Sequence, residues 1–548
     1  MTRLFFFTAL LFFFFPTQGQ ELTDSQREQI DQIARWNVRD GGPGLAVGIV
    51  RAGEIIYEYY GGLEDIKSKT SIDVETVFNI ASNAKQFTAC LVLELIQSGQ
   101  LQLNDDIRKT LPEILPNYPQ PITVQQLLKH SSGIRDVYDL WDVQGIVWWK
   151  TRGLNNEVAL ALLAQQQSPQ FEPGTAFSYS NSNYLLLAEI VARITGKPFA
   201  SHAGERLKAW GLNQSFYLAD HNRDIPNLAK PYFDFGKWYY YRWRSHLYAD
   251  GALFTTLRDQ LQWEMKLQTE LDQLELLLAS QQRLPSPVDD HYGYGVEFDT
   301  YRGLPRIRHE GSTSAWQASF MRFPAQDVAI VVMSNSGAVY PNGVAQRIAN
   351  QLLADDLMEE KPFPTGPESV QSEFTDEQLL GTYTLENGYY FRIRQDGSQW
   401  LLERPNRDAI VIEREEGDLF QEVADPAFKQ SFTLNEDGQQ TVTAYYPTHN
   451  PFTLTKLADF PADFQAQQWA GKYRNLDTGV TVQLVDRGQN TFALKFQGEK
   501  RQKRDGVLLS PTIMNAQGYG LEFSEADGRK QFALSNNRIR GLQFVRVE

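Results

Sequence analysis

After Leu357 the chain stops reading as helices. The stretch "MEEKPFPTGPESVQSEFTDEQ" is rich in Pro, Gly, Ser and acidic residues, a composition with little to bury that reads as a linker. Beyond it, short segments of alternating apolar and polar residues are separated by "ENG", "QDG", "NEDG", "DRGQN" and "ADG". That is the pattern of strands joined by tight turns. Within this region "LLGTYTLENGYYFRIRQDG" resembles "WAGKYRNLDTGVTVQLVDRG", so that Gly381 and Tyr383 answer Gly471 and Tyr473. A repeat of this length in an all-β texture predicts two similar small domains, barrels or sandwiches. The reading places a linker over 358–373, one β-domain over 374–460 and a second over 461–548.

Residues 20–357 read differently. "GLAVGIVRAGEIIYEYYGG" alternates around Ala52-Gly53, a hairpin signal. "SNAKQFTACLVLELIQSGQ" runs helically from Ser82 to a stop at Gly99, and "NYLLLAEIVARITGK" is a second amphipathic helix closed by Gly196. "ASFMRFPAQDVAIVVMSNS" gives two strands about a turn, followed by a helix over "NGVAQRIANQLLADDL". A hairpin first, helices in the middle and strands again predict an α+β domain, not a repeating βαβ series.

The first nineteen residues read as a signal peptide. Arg3 supplies the positive start, "LFFFTALLFFFF" the apolar centre and "PTQG" the exit before Gln20. A stretch of twelve residues is too short to span a bilayer, so the expectation is a soluble, exported protein, periplasmic or secreted. A formal net charge of -15 argues against an electrostatic grip on nucleic acid or anionic membrane. The lone Cys90 excludes an internal disulfide and a cysteine-based zinc cluster. No His, Asp or Glu cluster has metal-ligand spacing, so no metal or organic cofactor is expected.

Ser82 and Lys85 lie at i and i+3, on one face of one turn. A lysine in a first helical turn has the wrong sign for the helix dipole. Its neighbours are apolar enough to bury it, and burial together with the positive helix end lowers a lysine pKa toward a neutral, proton-accepting amine. A serine needs such a base to become a nucleophile, and its own N–H could help hold an oxyanion. The bare motif also fits a capping serine beside a solvated lysine.

Two further stretches accompany it: Tyr179-Ser180-Asn181 just before a helix, and His309-Glu310-Gly311 at the head of a strand. Together with Ser82-Asn83-Ala84-Lys85 these resemble the three motifs of the serine β-lactamase and penicillin-binding-protein superfamily, in its class C-like branch. The surroundings "TVFNIASNAKQFTA", "LLKHSSGIRD", "FEPGTAFSYSNSNY", "DGALFTTLRDQ" and "YGYGVEF" follow in the family's order over residues about 25 to 355. The resemblance implies that Ser82 attacks an acyl carbonyl, Lys85 takes its proton and Tyr179 relays it. It implies that Asn181 binds a substrate amide, that His309 stands where many relatives have lysine, and that Gly311 lets the strand approach the substrate. The Ser312 N–H would complete the oxyanion hole. With no class A-type glutamate in evidence, deacylation would rest on the Tyr179–Lys85 pair. The fold implied is a transpeptidase-like domain, an antiparallel sheet flanked by helices, before two barrel-like domains, a plan that looks like the D-aminopeptidase type. The expected activity is that of a peptidase or amidase on small or D-amino-acid-containing peptides. An esterase, a β-lactamase or a non-catalytic binding module are the alternatives, and the oligomeric state is open.

Glu310 departs from the family, which carries a small or hydroxyl residue there. Facing the cleft it would repel an anionic substrate; facing behind the sheet it would not. The aromatic run "KPYFDFGKWYYYRWRSH" reads either as a strand packed on a neighbour or as a lip over the site, with "WDVQGIVWWK" as the opposite rim.

Overall fold

The computed structural model describes residues 21–547 except 219, 221–222, 244–245, 271–274, 284–287, 290, 360–362, 371–373, 386–387, 406, 447–448 and 499–500. The segment read as a signal peptide lies outside the described residues. Helix α1, Asp24–Trp36, opens with a capping box between Thr23 and Gln26, which satisfies two otherwise orphan N–H groups. Strands β1, Leu45–Arg51, and β2, Glu54–Gly61, form the expected hairpin. Ala52 at φ 48° and Gly53 at φ 78° make its turn, the left-handed pair that matches strand twist.

Helices α2, Lys85–Gln97, α3, Val137–Val143, α4, Asn181–Thr195, and α5, Leu257–Thr269, fill the middle of this part. Gly196, at φ 67°, closes α4 as a left-handed cap. Strands β3, Glu297–Tyr301, β4, Leu304–Thr313, β5, Trp316–Phe323, and β6, Val328–Ser334, then lead to helix α6, Pro341–Leu352. The six strands form one antiparallel sheet in the order β3-β4-β5-β6-β1-β2. Successive side chains point to opposite faces. Leu45, Val47 and Ile49 therefore pack with Ile30 of α1 and Ile348 of α6, while Ala46 and Val50 join Phe87 of α2 and Leu261 of α5 on the other face. Gly48 lets α5 lie close, since a Cβ there would stand 2.6 Å from the Leu261 methyl carbons. The α+β expectation therefore holds, with helices on both faces of an antiparallel sheet.

The C-terminal part forms two closed, eight-stranded antiparallel barrels, so of the two β architectures read from the repeat the chain adopts barrels. The first closes where Tyr383 pairs with Lys456, the second where Tyr473 pairs with Arg546. The repeat has a shared physical basis. Gly381 and Gly471 stand at φ 130° and 148°. Tyr383 and Tyr473 are fully buried, and each donates its hydroxyl at 3.0 Å to the carbonyl four residues back, Leu379 and Trp469 respectively. The barrels differ in attachment: the first has its own apolar cluster, while that of the second runs on into the core around α2.

Candidate active site

Ser82 lies on a short 3-10 turn, Ala81–Ala84, directly before α2, so the helical reading from Ser82 is right in place but the first turn is tighter. The turn is set by Asn79, whose side-chain oxygen accepts the Ala81 N–H at 2.8 Å, and by Ala81 at φ 47°. A non-glycine residue in that region carries strain, and such strain gathers at functional sites. Ser82 caps nothing; its hydroxyl is free for Lys85.

Lys85 is fully buried. Its Nζ donates to Ser82 Oγ at 3.1 Å, to Asn181 Oδ1 at 2.9 Å and to the Asp250 carbonyl at 2.6 Å. Burial is the main reason its pKa falls to about 7, aided by the positive charge of Arg538 and opposed by Asp250 and Asp136. At neutral pH a large share of the amine is therefore unprotonated and able to take the serine proton. Tyr179 stands beside both partners: Lys85 Nζ lies 4.9 Å from its ring centre, and the neighbouring Ser82 side chain partly offsets the effect of burial on its hydroxyl. Burial raises the Tyr179 pKa above the usual phenol range, so its hydroxyl stays protonated at neutral pH.

Asn181 faces the cavity, and its amide is committed on both sides. Besides accepting from Lys85, it donates Nδ2 to Asp136 Oδ2 at 2.8 Å, and its backbone N–H reaches the same oxygen at 2.7 Å. His309 is buried. Its Nδ1 donates to the Glu310 carbonyl at 2.6 Å and its Nε2 accepts from the Tyr292 hydroxyl at 3.1 Å. Burial and the neighbouring Lys85 hold its pKa at about 3, so it is neutral. Gly311 brings β4 onto the serine turn: a Cβ there would lie 2.2 Å from the Ile80 carbonyl oxygen and 3.1 Å from the Ser82 nitrogen. Ser312 and Thr313 line the cavity beside Ser82.

Glu310 resolves by alternation. His309 and Gly311 face the site, so Glu310 and Arg308 share the opposite face, where Arg308 binds Glu310 at 3.0 Å and also holds Glu297 and Asp299. Its carboxylate does not line the cavity. Cys90 is buried as expected, its thiol pushed up to about 12 by burial. Among the described residues no group of three or more His, Cys, Asp or Glu is placed to hold a metal ion, and no helix is long and apolar enough to cross a membrane.

The cavity beside Ser82 has a volume of about 170 Å³. Trp148 and Trp243 line it, one from each aromatic stretch, so both contribute to its walls. The run after Pro231 also makes a small hairpin, Tyr232–Asp234 against Trp238–Tyr240. Four groups escaped the sequence reading by number. Asp136, Asp250 and Tyr292 lie inside stretches quoted for their resemblance, "SSGIRD", "DGALF" and "YGYGVEF". Asp250 is bracketed by Ala249 at φ 84° and Ala252 at φ 57°, and its carboxyl accepts from Tyr138 at 2.7 Å. Arg538 comes from the second barrel, lines the cavity and stands 5.4 Å from the Tyr179 ring centre. No local pattern announces it.

A serine hydroxyl bonded to a buried lysine amine, at the edge of an antiparallel sheet, defines a serine hydrolase of the Ser-x-x-Lys type. The family described as Beta-lactamase matches residues 27–354, more than half of the chain, and the chain belongs to it. It is 25% identical over 352 residues to Protein flp of Staphylococcus aureus (strain N315), covering 61% of this chain and 68% of that one. It is 27% identical over 363 residues to a D-aminopeptidase of Cereibacter sphaeroides (strain ATCC 17029 / ATH 2.4.9), covering 65% and 66%. Among solved structures, the octameric penicillin-binding protein homologue from Pyrococcus abyssi shares the fold, with a TM-score of 0.55 at 20% identity over 79% of this chain and 99% of that chain.

Proposed function

We propose that this chain is an exported hydrolase that forms an acyl-enzyme on Ser82 and acts on small or D-amino-acid-containing peptides and amides. The observation that carries the chemistry is the buried Lys85 amine, 3.1 Å from Ser82 Oγ with its pKa near 7. In this reading Oγ attacks the carbonyl carbon as its proton passes to Lys85 Nζ. The carbonyl oxygen becomes an oxyanion, which the N–H groups of Ser82 and Ser312 would hold. The proton then passes through the neutral Tyr179 hydroxyl to the leaving amine as the C–N bond breaks. Water, deprotonated by the same Lys85–Tyr179 pair, releases the acid and restores Ser82. Asn181 holds the base in place; with its side-chain oxygen and nitrogen both committed, a substrate amide meets it only through its remaining donor or lone pair.

Three features support the substrate class. The cavity is small, Asp139 and Asp250 are among the residues that line it, and the D-aminopeptidase of Cereibacter sphaeroides is among the relatives. Burial raises the Asp139 pKa to about 6, so above that pH it is an anion suited to a substrate ammonium. The strand that bears a cationic lysine in many relatives carries a neutral His309 here, so that strand offers a β-lactam carboxylate no cation, and the Arg538 guanidinium that also lines the cavity is engaged by Asp136 and Asp139. Export is supported by the leader-like first nineteen residues. The test is a panel of a D-aminoacyl amide, a neutral ester and a chromogenic cephalosporin, run with Ser82→Ala. The amide should be turned over fastest and Ser82→Ala should be inactive. Fastest turnover of the cephalosporin, or activity surviving in Ser82→Ala, overturns the reading.

A further inference from the structure

Strands Arg529–Ser535 and Leu542–Arg546 of the second barrel are joined by the loop "NNRIRG". It is held in one shape. Asn536 Oδ1 accepts the backbone N–H groups of Arg538 at 2.9 Å and Ile539 at 2.8 Å, and Ile539 is fully buried. The loop is also tied across to the catalytic part. Arg540 donates its backbone N–H to Gln170 Oε1 at 2.9 Å. From the same barrel Arg504 pairs with Asp142 at 3.0 Å, and the Tyr519 hydroxyl bonds to the same carboxylate. Arg538 is thereby aimed at Asp136, 3.7 Å away, whose side chain has no exposed surface. A buried carboxylate without a counter-charge is costly, and Asp136 is the group that grips Asn181 through two hydrogen bonds of 2.7 and 2.8 Å.

We propose that Arg538 is a positioning residue for the catalytic base, supplied by the second barrel: it holds Asp136, which holds Asn181, which fixes the Lys85 amine beside Ser82. The inference rests on the hydrolase reading above and adds a purpose for one of the two barrels. It also has an electrostatic side. Lys85 is faced by the carboxyl groups of Asp250 and Asp136, by the Arg538 guanidinium, by Tyr179 and Tyr184, and by the neutral imidazoles of His130 and His309. Arg538 itself is faced by Asp136, Asp139, Tyr138 and Tyr179. Removing its charge deletes a cation that opposes the ammonium form of Lys85 and uncovers the Asp136 anion that favours it. Both changes push the lysine the same way, toward protonation.

The test is the rate at which a fluorophosphonate labels Ser82 across the pH range on either side of neutrality, in wild type, Arg538→Gln and Arg538→Lys. In Arg538→Gln the acid limb should move up by about one pH unit, giving roughly tenfold slower labelling below the limb and convergence with wild type in alkali. Arg538→Lys keeps the charge and should keep the wild-type limb. A limb that stays put in Arg538→Gln, or that moves equally in Arg538→Lys, overturns the inference. Because Arg538 lies on a partly exposed loop, both variants should fold; intact barrel docking is checked by resistance to proteolysis. A wild-type Ser82 that takes no label at any pH would instead overturn the hydrolase reading itself.

Discussion

Replacing Gly311 by alanine should disable the enzyme while leaving it folded. A Cβ at that position would stand 2.2 Å from the Ile80 carbonyl oxygen, 3.1 Å from the Ser82 nitrogen and 3.2 Å from the Ala81 Cβ. All three atoms belong to the turn that presents the nucleophile, and the nearest is backbone, which has no rotamer with which to retreat. To reach ordinary contact the strand and the turn must separate by about 1 Å. A displacement of about 1 Å at a reacting centre costs on the order of a hundredfold in rate, or about 2.7 kcal/mol. The assay is kcat/KM on the best amide or ester substrate, with Ser82 labelling as a substrate-free readout. Gly204→Ala is the control. Gly204 lies in helix Phe199–Ala209 with nothing within 4 Å of an added Cβ, so alanine there should preserve activity and gain up to about 1 kcal/mol of stability. If Gly311→Ala acylates within threefold of wild type, the close approach of β4 to the serine turn is not what sets the geometry.

Acylation of Ser82 should rise with pH through a midpoint near the Lys85 pKa of about 7, because only the neutral amine accepts a proton. The same depressed pKa makes a stability prediction: between about pH 7 and 10 the unfolded lysine holds a proton that the folded one has lost. Wild type should therefore gain on Lys85→Met by about 1.4 kcal/mol per pH unit in that window, read from urea melts. Glu310→Thr should leave the preference between matched anionic and neutral substrates unchanged, since the carboxylate lies behind the sheet. Loss of its half-exposed pair with Arg308 should cost no more than about 1 kcal/mol. Tyr473→Phe removes a buried hydrogen bond to Trp469 and should destabilise the second barrel by about 1 kcal/mol with the pH profile of acylation unmoved, as thermal unfolding and labelling would show.

What the sequence determined by itself was whatever is written in local spacing. The hairpin over 44–62, the helix closed by Gly196 and the barrel strands each follow from a period of two or 3.6 and a turn residue. The placement of Ser82 beside Lys85 follows from the geometry of a single turn. Even the two barrels were visible as a repeat, because Gly381 with Tyr383 and Gly471 with Tyr473 answer the same local demand twice. The tertiary structure decided everything that depends on what lies across the fold. Alternation in β4 fixes that Glu310 and His309 face opposite ways, but only the packing of β4 on the serine turn decides which of them meets the site. Asn181 reads as a substrate ligand in its motif; only the fold shows that its amide is also tied between Lys85 and Asp136, two partners from other elements. Arg538 lies at the far end of the chain from Asp136, on a loop with no signature of its own. A charge becomes part of a site when burial removes water from its partner, and burial belongs to the folded chain, not to any stretch of it.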